Sequence, residues 1–183
     1  MDIDWIFLDR TTSTNSWVRE ECATFQRDLL TVVSAREQTR GYGRLGRKWI
    51  AQRDTNVTAS FCFFAEEGSV DLVKLTILLA TVIKEVVGGC GVVAAIKWPN
   101  DVMVEKKKIS GILCETIFVE GDMQAVVVGL GLNVNMTESE CSMIDQPATS
   151  LLVETGQQHD IKEITERIAT AFARKLLCYI NNQ

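Results

Sequence analysis

The chain has 183 residues, 46% of them hydrophobic and 23% charged, and its formal net charge is −5 at pH 7. These values are typical of one globular domain with a sizeable core, and the acidic balance disfavours nucleic acid as a partner. The N-terminus lacks the basic and apolar regions of a signal peptide, and the uncharged stretches are too short to cross a bilayer. We therefore expect a cytoplasmic protein with no membrane partner.

In the first half of the chain, hydrophobic periodicity predicts the order β–α–β–β–α. Strands are expected over 3–9, 29–36 and 56–64, where β-branched and aromatic residues are dense. A helix is expected over 12–29, starting with capping residues. A second, strongly apolar helix over 70–87 is expected to end at Gly88 and Gly89, which suit a left-handed C-terminal cap.

The second half predicts a strand over 92–98, a turn at "PND", three successive strands within 101–134 and a helix over 162–180. A charged turn at 105–107 and the turn "EGD" at 120–122 would join the three strands. Because short turns join consecutive strands in an antiparallel manner, we expect an α/β (α+β) fold. Its sheet would be mixed, largely antiparallel and flanked by helices.

The cysteine pattern argues against a structural metal. The six cysteines are widely spaced without a C-x-x-C pair, and the only histidine is His159. Zinc sites need clustered Cys and His ligands, so we expect no protein-bound metal site. Reduced and mostly buried thiols are the favoured interpretation.

A glycine-rich basic loop, "QTRGYGRLGRKW" at 38–49, stands out in this acidic chain. Its Gly41–Gly46 segment matches G-x-G-x-x-G, but a loop and a strand follow it where a dinucleotide-binding motif would open a helix. The P-loop pattern also fails, because Gly46 is followed by Arg47 and Lys48. A solvated surface loop is the simplest alternative. The local positive charge otherwise favours a compact anion as ligand.

Four other segments place small and polar residues next to predicted strand or helix ends. They are "TSTN" (12–15), "KWPND" (97–101), "KKISGIL" (107–113) and "GLGLNVN" (129–135). Each has an ordinary structural explanation as a helix cap, a tight turn or a solvated lysine. Trp98 and Pro99 are better explained by turn packing than by ligand contact. Taken together, the segments predict one pocket built from the ends of several strands.

With these segments in this order, the sequence resembles the biotin protein ligases, also called biotin–acetyl-CoA-carboxylase ligases, over roughly 5–135. The resemblance implies a fold related to class II aminoacyl-tRNA synthetases and lipoate ligases. It implies that biotin and ATP, with Mg²⁺, give biotinyl-5′-AMP and pyrophosphate. The biotinyl group would then pass to a lysine of a biotin carboxyl carrier protein of acetyl-CoA carboxylase or a similar carboxylase.

The resemblance also assigns roles to individual residues. Lys108 and Arg44 are the expected catalytic residues. Those implied to bind biotin are Ser13, Thr14, Asn15, Gln38, Gly41, Tyr42, Gly43, Arg44, Lys108 and Gly111. Those implied to bind ATP are Arg47, Trp49, Lys97, Asn100, Asp101 and Asn133. Gly129 and Gly131 would let the nucleotide approach Asn133, and Asp101 could also orient or deprotonate the acceptor lysine.

The chain departs from the resembled family in two ways. Tyr42 stands where relatives usually have arginine, which would preserve a main-chain contact but not a charge contact. We also expect 1–183 to be a single catalytic domain, without an N-terminal DNA-binding domain or the small C-terminal β domain of many relatives. A homodimer formed through sheet edges is compatible with the family.

Three alternative functions stay open. A lipoate or octanoate ligase or transferase would share the fold, but its pocket would be mostly apolar where this chain has "STN" and Gln38. A biotin- or nucleotide-binding protein that never transfers its ligand would not need Arg44 and Lys108. An RNA-binding relative of a synthetase core is disfavoured by the acidic balance.

Overall fold

A computed structural model describes residues 1–120 and 123–182 of the chain. Seven strands form one sheet in the order β1-β2-β3-β7-β6-β5-β4. The strands are β1 (Ile3–Leu8), β2 (Leu30–Ala35), β3 (Asn56–Glu66), β4 (Ala95–Lys97), β5 (Asp101–Val104), β6 (Lys107–Glu120) and β7 (Met123–Asn133). The helices are α1 (Thr14–Glu21), α2 (Leu72–Gly89), α3 (Glu138–Ser142), α4 (Leu151–Thr155) and α5 (Ile161–Ile180).

The strand pairing confirms the expected mixed, largely antiparallel sheet. Among the strands that the structure describes, only β1 and β2 pair in parallel, and the helix α1 connects them. The other neighbours are antiparallel, including the run β4-β5-β6-β7. The expected "EGD" turn includes Gly121 and Asp122, which lie outside the described residues. The antiparallel pairing of β6 with β7 is as predicted.

Helices cover both faces of the sheet. The larger core forms where α2 and α5 pack on one face, with residues such as Leu79, Ile83 and Phe172 fully buried. On the opposite face, Val18 of α1 and Cys22, just after this helix, pack in a smaller cluster. Because side chains alternate between the faces of a strand, β3 and β7 contribute to both clusters. The second face has room beside α1 for a cavity.

Several element boundaries differ from the sequence-based expectation. The helix α1 ends at Glu21 and continues only as a short 3₁₀ turn, Cys22–Thr24. The expected strand over 92–98 is only three residues long, Ala95–Lys97. Gly88 and Gly89 lie inside α2, and the left-handed residue after this helix is Gly91, with φ of 86°. Cys90 therefore separates the last helical residue from the left-handed residue at which the backbone turns away from the helix.

The short helices α3 and α4 had no predicted counterpart. Each has only five residues, too few to show a helical repeat of apolar positions. Side-chain caps define their starts, with a capping box between Thr137 and Glu140 in α3 and Ser150 capping α4.

All six cysteines are free thiols, and Cys22, Cys62 and Cys141 are buried. In residues 1–120 and 123–182, no helix has both the length and the apolar character needed to cross a membrane. Within the same ranges, no group of three or more His, Cys, Asp or Glu side chains is placed to hold a metal ion.

Candidate functional site

A cavity of about 290 Å³ lies on the α1 face of the sheet. Its floor comes from β6 and β7, one end comes from the start of α1, and the glycine-rich loop lies across it. The residues that line it are Ser13, Thr14, Asn15, Gln38, Tyr42, Gly43, Arg44, Leu45, Arg47, Lys48, Trp49, Asn100, Asp101, Lys108, Gly111, Ile112, Leu113, Gly129, Leu130, Gly131 and Gln146. The separate sequence segments that predicted a pocket therefore meet in one place.

A β-bulge turns Lys108 toward this cavity. Val102 of β5 pairs with Ser110, whereas the next residue, Met103, pairs with Lys108, so Ile109 is the extra residue in β6. Regular alternation would place Lys108 and Gly111 on opposite faces of the sheet. The bulge places both on the cavity face and directs Ile109 into the core, where it is fully buried.

Lys108 is paired with a carboxylate and held firmly at its backbone. Its Nζ lies 2.6 Å from Asp101 Oδ1, and both side chains are mostly buried. Within the described part of the chain, this oxygen accepts no hydrogen bond of good geometry. The contact with Lys108 is therefore a close ion pair and not a well-directed hydrogen bond. The Lys108 N–H donates to the Pro147 carbonyl, and its carbonyl accepts from the Thr149 N–H.

Asn133 supports Lys108 from behind the cavity wall. Its Nδ2 donates to the Thr149 carbonyl at 2.9 Å, on the segment that pairs with the Lys108 backbone. The residue is buried and does not line the cavity. In this arrangement Asn133 contacts protein where the resemblance implies a nucleotide contact.

Three glycines on β6 and β7 let neighbouring side chains lie directly against the sheet at the floor of the cavity. A Cβ at Gly131 would lie 2.7 Å from Trp49 Nε1, and one at Gly129 would lie 2.9 Å from Asn15 Cγ. A Cβ at Gly111 would lie 2.9 Å from Lys108 Nζ. Side chains of the site itself therefore occupy the space above these glycines. The resemblance instead implies that a nucleotide approaches at Gly129 and Gly131.

The glycine-rich loop folds into a small hairpin over the cavity. The Gly43 N–H donates to the Arg47 carbonyl at 2.7 Å, and the Trp49 N–H donates to the Gly41 carbonyl at 2.9 Å. Gly41 does not line the cavity, and a Cβ there would lie 2.7 Å from the Trp49 carbonyl oxygen. Its missing side chain thus lets the two arms of the hairpin approach. The tip residue Leu45 is 92% exposed.

Two side chains of the loop reach across to the sheet. Arg44 Nη1 donates to Asn100 Oδ1 at 3.2 Å, and the Tyr42 hydroxyl donates to Glu115 Oε2 at 3.1 Å. The Tyr42 contact comes from a side chain, although the position usually carries arginine in the resembled family. The loop therefore has direct contacts with the β4–β5 turn and with β6.

Polar groups at the other end of the cavity form a buried network. Gln38 Oε1 accepts from the Thr14 N–H at 2.7 Å, so this amide caps α1 while Ser13, at the N-cap position, makes no capping bond with its side chain. Ser60 Oγ lies 2.7 Å from Thr14 Oγ1 and 2.6 Å from Asn15 Oδ1. The network fixes the orientation of the polar side chains at this end of the cavity.

Most of the residues expected to bind ligand line the cavity, but three do not: Gly41, Lys97 and Asn133. Lys97 is exposed on β4, the edge strand of the sheet. Trp98 is 70% exposed, so the expected packing of this turn residue is wrong. The roles of all the expected residues in binding and catalysis stay predictions.

Ser60, Glu115 and Gln146 had not been expected at the site. Ser60 lies inside a strand with a continuous apolar pattern, and Glu115 follows a motif that was interpreted only as far as Leu113. Gln146 comes from an irregular segment without periodicity. A carboxylate and a serine placed within apolar strands were the available signals for the first two.

The cavity favours an anionic ligand. Arg44, Arg47, Lys48 and Lys108 line it, and Asp101 is the single carboxylate in the described wall. No cysteine lies in the described wall. Burial raises the pKa of the Cys114 thiol, which lies on β6 outside the wall, to about 12, with a smaller contribution from the charge of Glu115. The arrangement can bind and stabilise negative charge next to a polar, uncharged end of the cavity.

Comparison with known proteins links this site to one family. A sequence profile described as "Biotin/lipoate A/B protein ligase family" matches residues 7–133. The biotin–[acetyl-CoA-carboxylase] ligase of Paracoccus denitrificans is 35% identical over 148 residues, covering 78% of this chain and 61% of that protein. The bifunctional ligase/repressor BirA of Bacillus spizizenii is 30% identical over 154 residues, covering 83% of this chain. The chain spans about half of that relative's length, 47%.

The fold comparison agrees. A biotin protein ligase from Aquifex aeolicus, solved in complex with biotin and ATP, superposes with a TM-score of 0.76 at 28% sequence identity. The match covers 98% of this chain and 72% of that one. The profile match spans more than half of the sequence and contains α1, the glycine-rich loop and the strands β5, β6 and β7 of the site. The chain therefore belongs to the biotin/lipoate A/B protein ligase family.

Proposed function

We propose that the chain is an ATP-dependent biotin protein ligase domain that forms biotinyl-5′-AMP and transfers biotin to a lysine of a biotin carboxyl carrier protein. The observation that carries this proposal is the two-ended cavity. Lys108 and the basic loop lie at one end, and Thr14, Asn15 and Gln38 lie at the other. Biotin has the same division, with a carboxylate at the end of an aliphatic chain and a cyclic urea at the opposite end.

In the first step, the biotin carboxylate attacks the α-phosphate of ATP and pyrophosphate leaves. Both reactants are anions, so the site must neutralise charge and align them more than it must move protons. Lys108 would contact the biotin carboxylate and the α-phosphate, at the cost of its ion pair with Asp101. Arg44 would stabilise the same charges from the loop.

The nucleotide would lie near Trp49 and Arg47. The indole Nε1 of Trp49 is buried and has no hydrogen-bond partner among the described residues, so it is available to an acceptor on the ligand. Asn100 Oδ1 holds Arg44 from the sheet side. Lys97 and Asn133 lie outside the wall, and they would act on the nucleotide only through neighbouring residues.

Mg²⁺ would arrive with ATP, as in other reactions at phosphates. Asp101 is the one acidic side chain in the described wall, which fits a metal that is held mainly by phosphate oxygens and water. The ion would neutralise charge on the leaving pyrophosphate. Lys108 and Arg44 would stabilise charge on the biotin carboxylate and the α-phosphate.

In the second step, a lysine amine of the carrier protein attacks the acyl carbon and AMP leaves. The attacking amine must be neutral, and a carboxylate near the mixed anhydride can accept its proton or orient it. Once Lys108 contacts the phosphate, Asp101 is free to do this. The acceptor and any homodimer contact at the sheet edges are predictions, as are a single-domain organisation and a cytoplasmic location.

The test is biotin-dependent exchange of labelled pyrophosphate into ATP, followed by addition of a carrier domain in a second reaction. Exchange that requires biotin would support adenylation, and label on the carrier would support transfer. Exchange with lipoate but not biotin would indicate the lipoate branch of the family. Exchange without transfer would favour a protein that binds and activates biotin only, and no exchange would contradict the proposal.

A further inference from the structure

We propose that Glu115 is a positioning residue that sets the direction of a buried hydrogen-bond chain, so that the cavity selects a cyclic urea. This inference rests on the proposed function, because it concerns how the biotin end of the cavity is built. Glu115 lies on β6, on the same face as Leu113 and Gly111, and it does not line the cavity itself.

Glu115 lies at one end of the buried hydrogen-bond chain. Its Oε2 accepts from Asn15 Nδ2 at 2.7 Å and from the Tyr42 hydroxyl at 3.1 Å. Its Oε1 accepts from Arg19 Nη2 at 3.0 Å, which balances the charge of the carboxylate from the outer side of α1. A carboxylate can only accept hydrogen bonds, so all three neighbours must donate.

This requirement propagates from residue to residue. The Asn15 amide must turn Nδ2 toward Glu115, which leaves Oδ1 facing Ser60 at 2.6 Å. Ser60 has a single hydroxyl proton and must give it to Asn15, because an amide oxygen only accepts. Thr14 Oγ1 lies 2.7 Å from Ser60 Oγ and 3.1 Å from Gln38 Oε1, so two acceptors compete for its single proton. Two hydroxyl oxygens 2.7 Å apart need a proton between them, and Ser60 has already given its own to Asn15, so Thr14 donates to Ser60.

At the cavity wall, the hydrogen-bond chain presents one acceptor and one donor. Thr14 Oγ1 has given its proton inward, so its remaining lone pair can accept from a ligand N–H. Gln38 Oε1 is occupied by the Thr14 N–H at 2.7 Å, so its Nε2 is left to donate to a ligand oxygen. An acceptor beside a donor is the complement of a cyclic urea, which carries an N–H next to a C=O.

Packing holds the side chains of this hydrogen-bond chain in place, and the charge of Glu115 sets its direction. Ser60 is completely buried, and Asn15 is pressed over Gly129, where a Cβ would lie 2.9 Å from both Asn15 Cγ and Nδ2. Within the described structure, Glu115 is the only charged side chain that is hydrogen-bonded to the Asn15 side chain. Removing that charge would allow the Asn15 amide to turn over, and Ser60 and Thr14 would follow.

The experiment compares wild-type protein with Glu115→Gln and Ser60→Ala. Glutamine keeps the size of the side chain but can donate as well as accept, so it no longer imposes a direction. We expect the Kd for biotin, measured by titration calorimetry, to rise about tenfold in both variants, as for loss of one buried hydrogen bond. Desthiobiotin, which keeps the cyclic urea, should weaken by the same factor, while ATP affinity should not change.

A matched control is Glu85→Gln, which removes an exposed carboxylate paired with Lys175 between α2 and α5, far from the cavity. It should bind biotin as the wild type does. In pyrophosphate exchange, Glu115→Gln should raise the KM for biotin and leave kcat at saturating biotin within about twofold.

Three results would overturn the inference. One is unchanged biotin affinity in Glu115→Gln. Another is a parallel loss of biotin and ATP affinity with a lower Tm, which would indicate a general structural role. Finally, wild-type protein that binds neither biotin nor desthiobiotin would contradict the proposed function itself, and the inference with it.

Discussion

Lys108 Nζ and Asp101 Oδ1 form an ion pair 2.6 Å long inside the cavity. The two side chains lie on the same face of the sheet only because β6 has a bulge at Ile109. The pair holds a cation where an acyl phosphate would form. It also keeps a carboxylate beside the same point, so one contact serves both proposed half-reactions.

Replacing Lys108 by alanine should nearly abolish the first half-reaction. Removing this cation leaves Asp101 unpaired beside two anionic reactants, so biotin-dependent pyrophosphate exchange should fall at least roughly a hundredfold. Lys107→Ala is the matched control, because this neighbour is exposed at the strand start and its variant should exchange normally. Equal activity of the two variants would contradict the assignment of Lys108.

Replacing Asp101 by asparagine should separate the two steps. Asparagine is isosteric but cannot accept a proton, so transfer to the carrier lysine should slow by about ten- to a hundredfold. Exchange of pyrophosphate should fall much less, because Lys108 stays in place. Single-turnover transfer from preformed biotinyl-5′-AMP measures the second step directly. An asparagine variant that slows neither step would rule out this role for Asp101.

A side chain at Gly131 should displace Trp49. In Gly131→Ala, the new methyl group overlaps the indole ring, and we expect a loss of about 1–3 kcal/mol of unfolding free energy together with weaker ATP binding. Chemical denaturation and calorimetry measure the two effects.

Gly88→Ala provides the contrast. Gly88 lies inside α2, and a Cβ added there would meet nothing within 4 Å, so alanine should stabilise the protein by up to ~1 kcal/mol. If both substitutions had the same effect, the close contact of Gly131 with Trp49 would not explain the loss.

Ligand binding should protect the glycine-rich loop from proteolysis. Trypsin can cleave after Arg44, Arg47 and Lys48, next to the exposed Leu45 at the hairpin tip. Biotin with ATP would engage Arg44 and Arg47 and slow cleavage. Limited digestion followed by mass spectrometry of the fragments measures this. Equal cleavage rates with and without both ligands would contradict a loop that closes on substrate.

The base of this loop should lose stability in acid. Arg36 donates two hydrogen bonds to Asp54, which hold the pKa of the Asp54 carboxyl below its usual value of 3.8. A lowered folded-state pKa stabilises the protein above the unfolded-state value and stops doing so as pH falls through the folded-state value. Asp54→Asn should thus be less stable than wild type near neutral pH, with the difference shrinking as pH falls below about 4 and through the lower folded-state pKa.

Urea denaturation of both proteins between about pH 3 and pH 7 measures this difference. Because the pair is exposed, added salt should reduce it. A stability difference that grew toward low pH would contradict the direction of the pKa shift.

The sequence by itself determined the order of the main elements and the family. Period-two and helical patterns are local, and they identified β1, β2, β3, α2 and α5 closely. The five motifs that carry the resemblance are also local, so the glycine-rich loop and Lys108 could be named before any contact was known. Five-residue helices such as α3 and α4 were missed because a pattern so short has no period.

Only the tertiary structure decided which side chains meet. Whether Lys108 faced Asp101 depended on an extra residue at Ile109, which simple alternation does not reveal. Ser60 and Glu115 come from strands separated by β7 in the sheet, and their link through Asn15 exists only once α1 packs on that face. Lys97 and Asn133 lay outside the wall for the same reason, since motif membership places a residue near a site but packing decides where its side chain points.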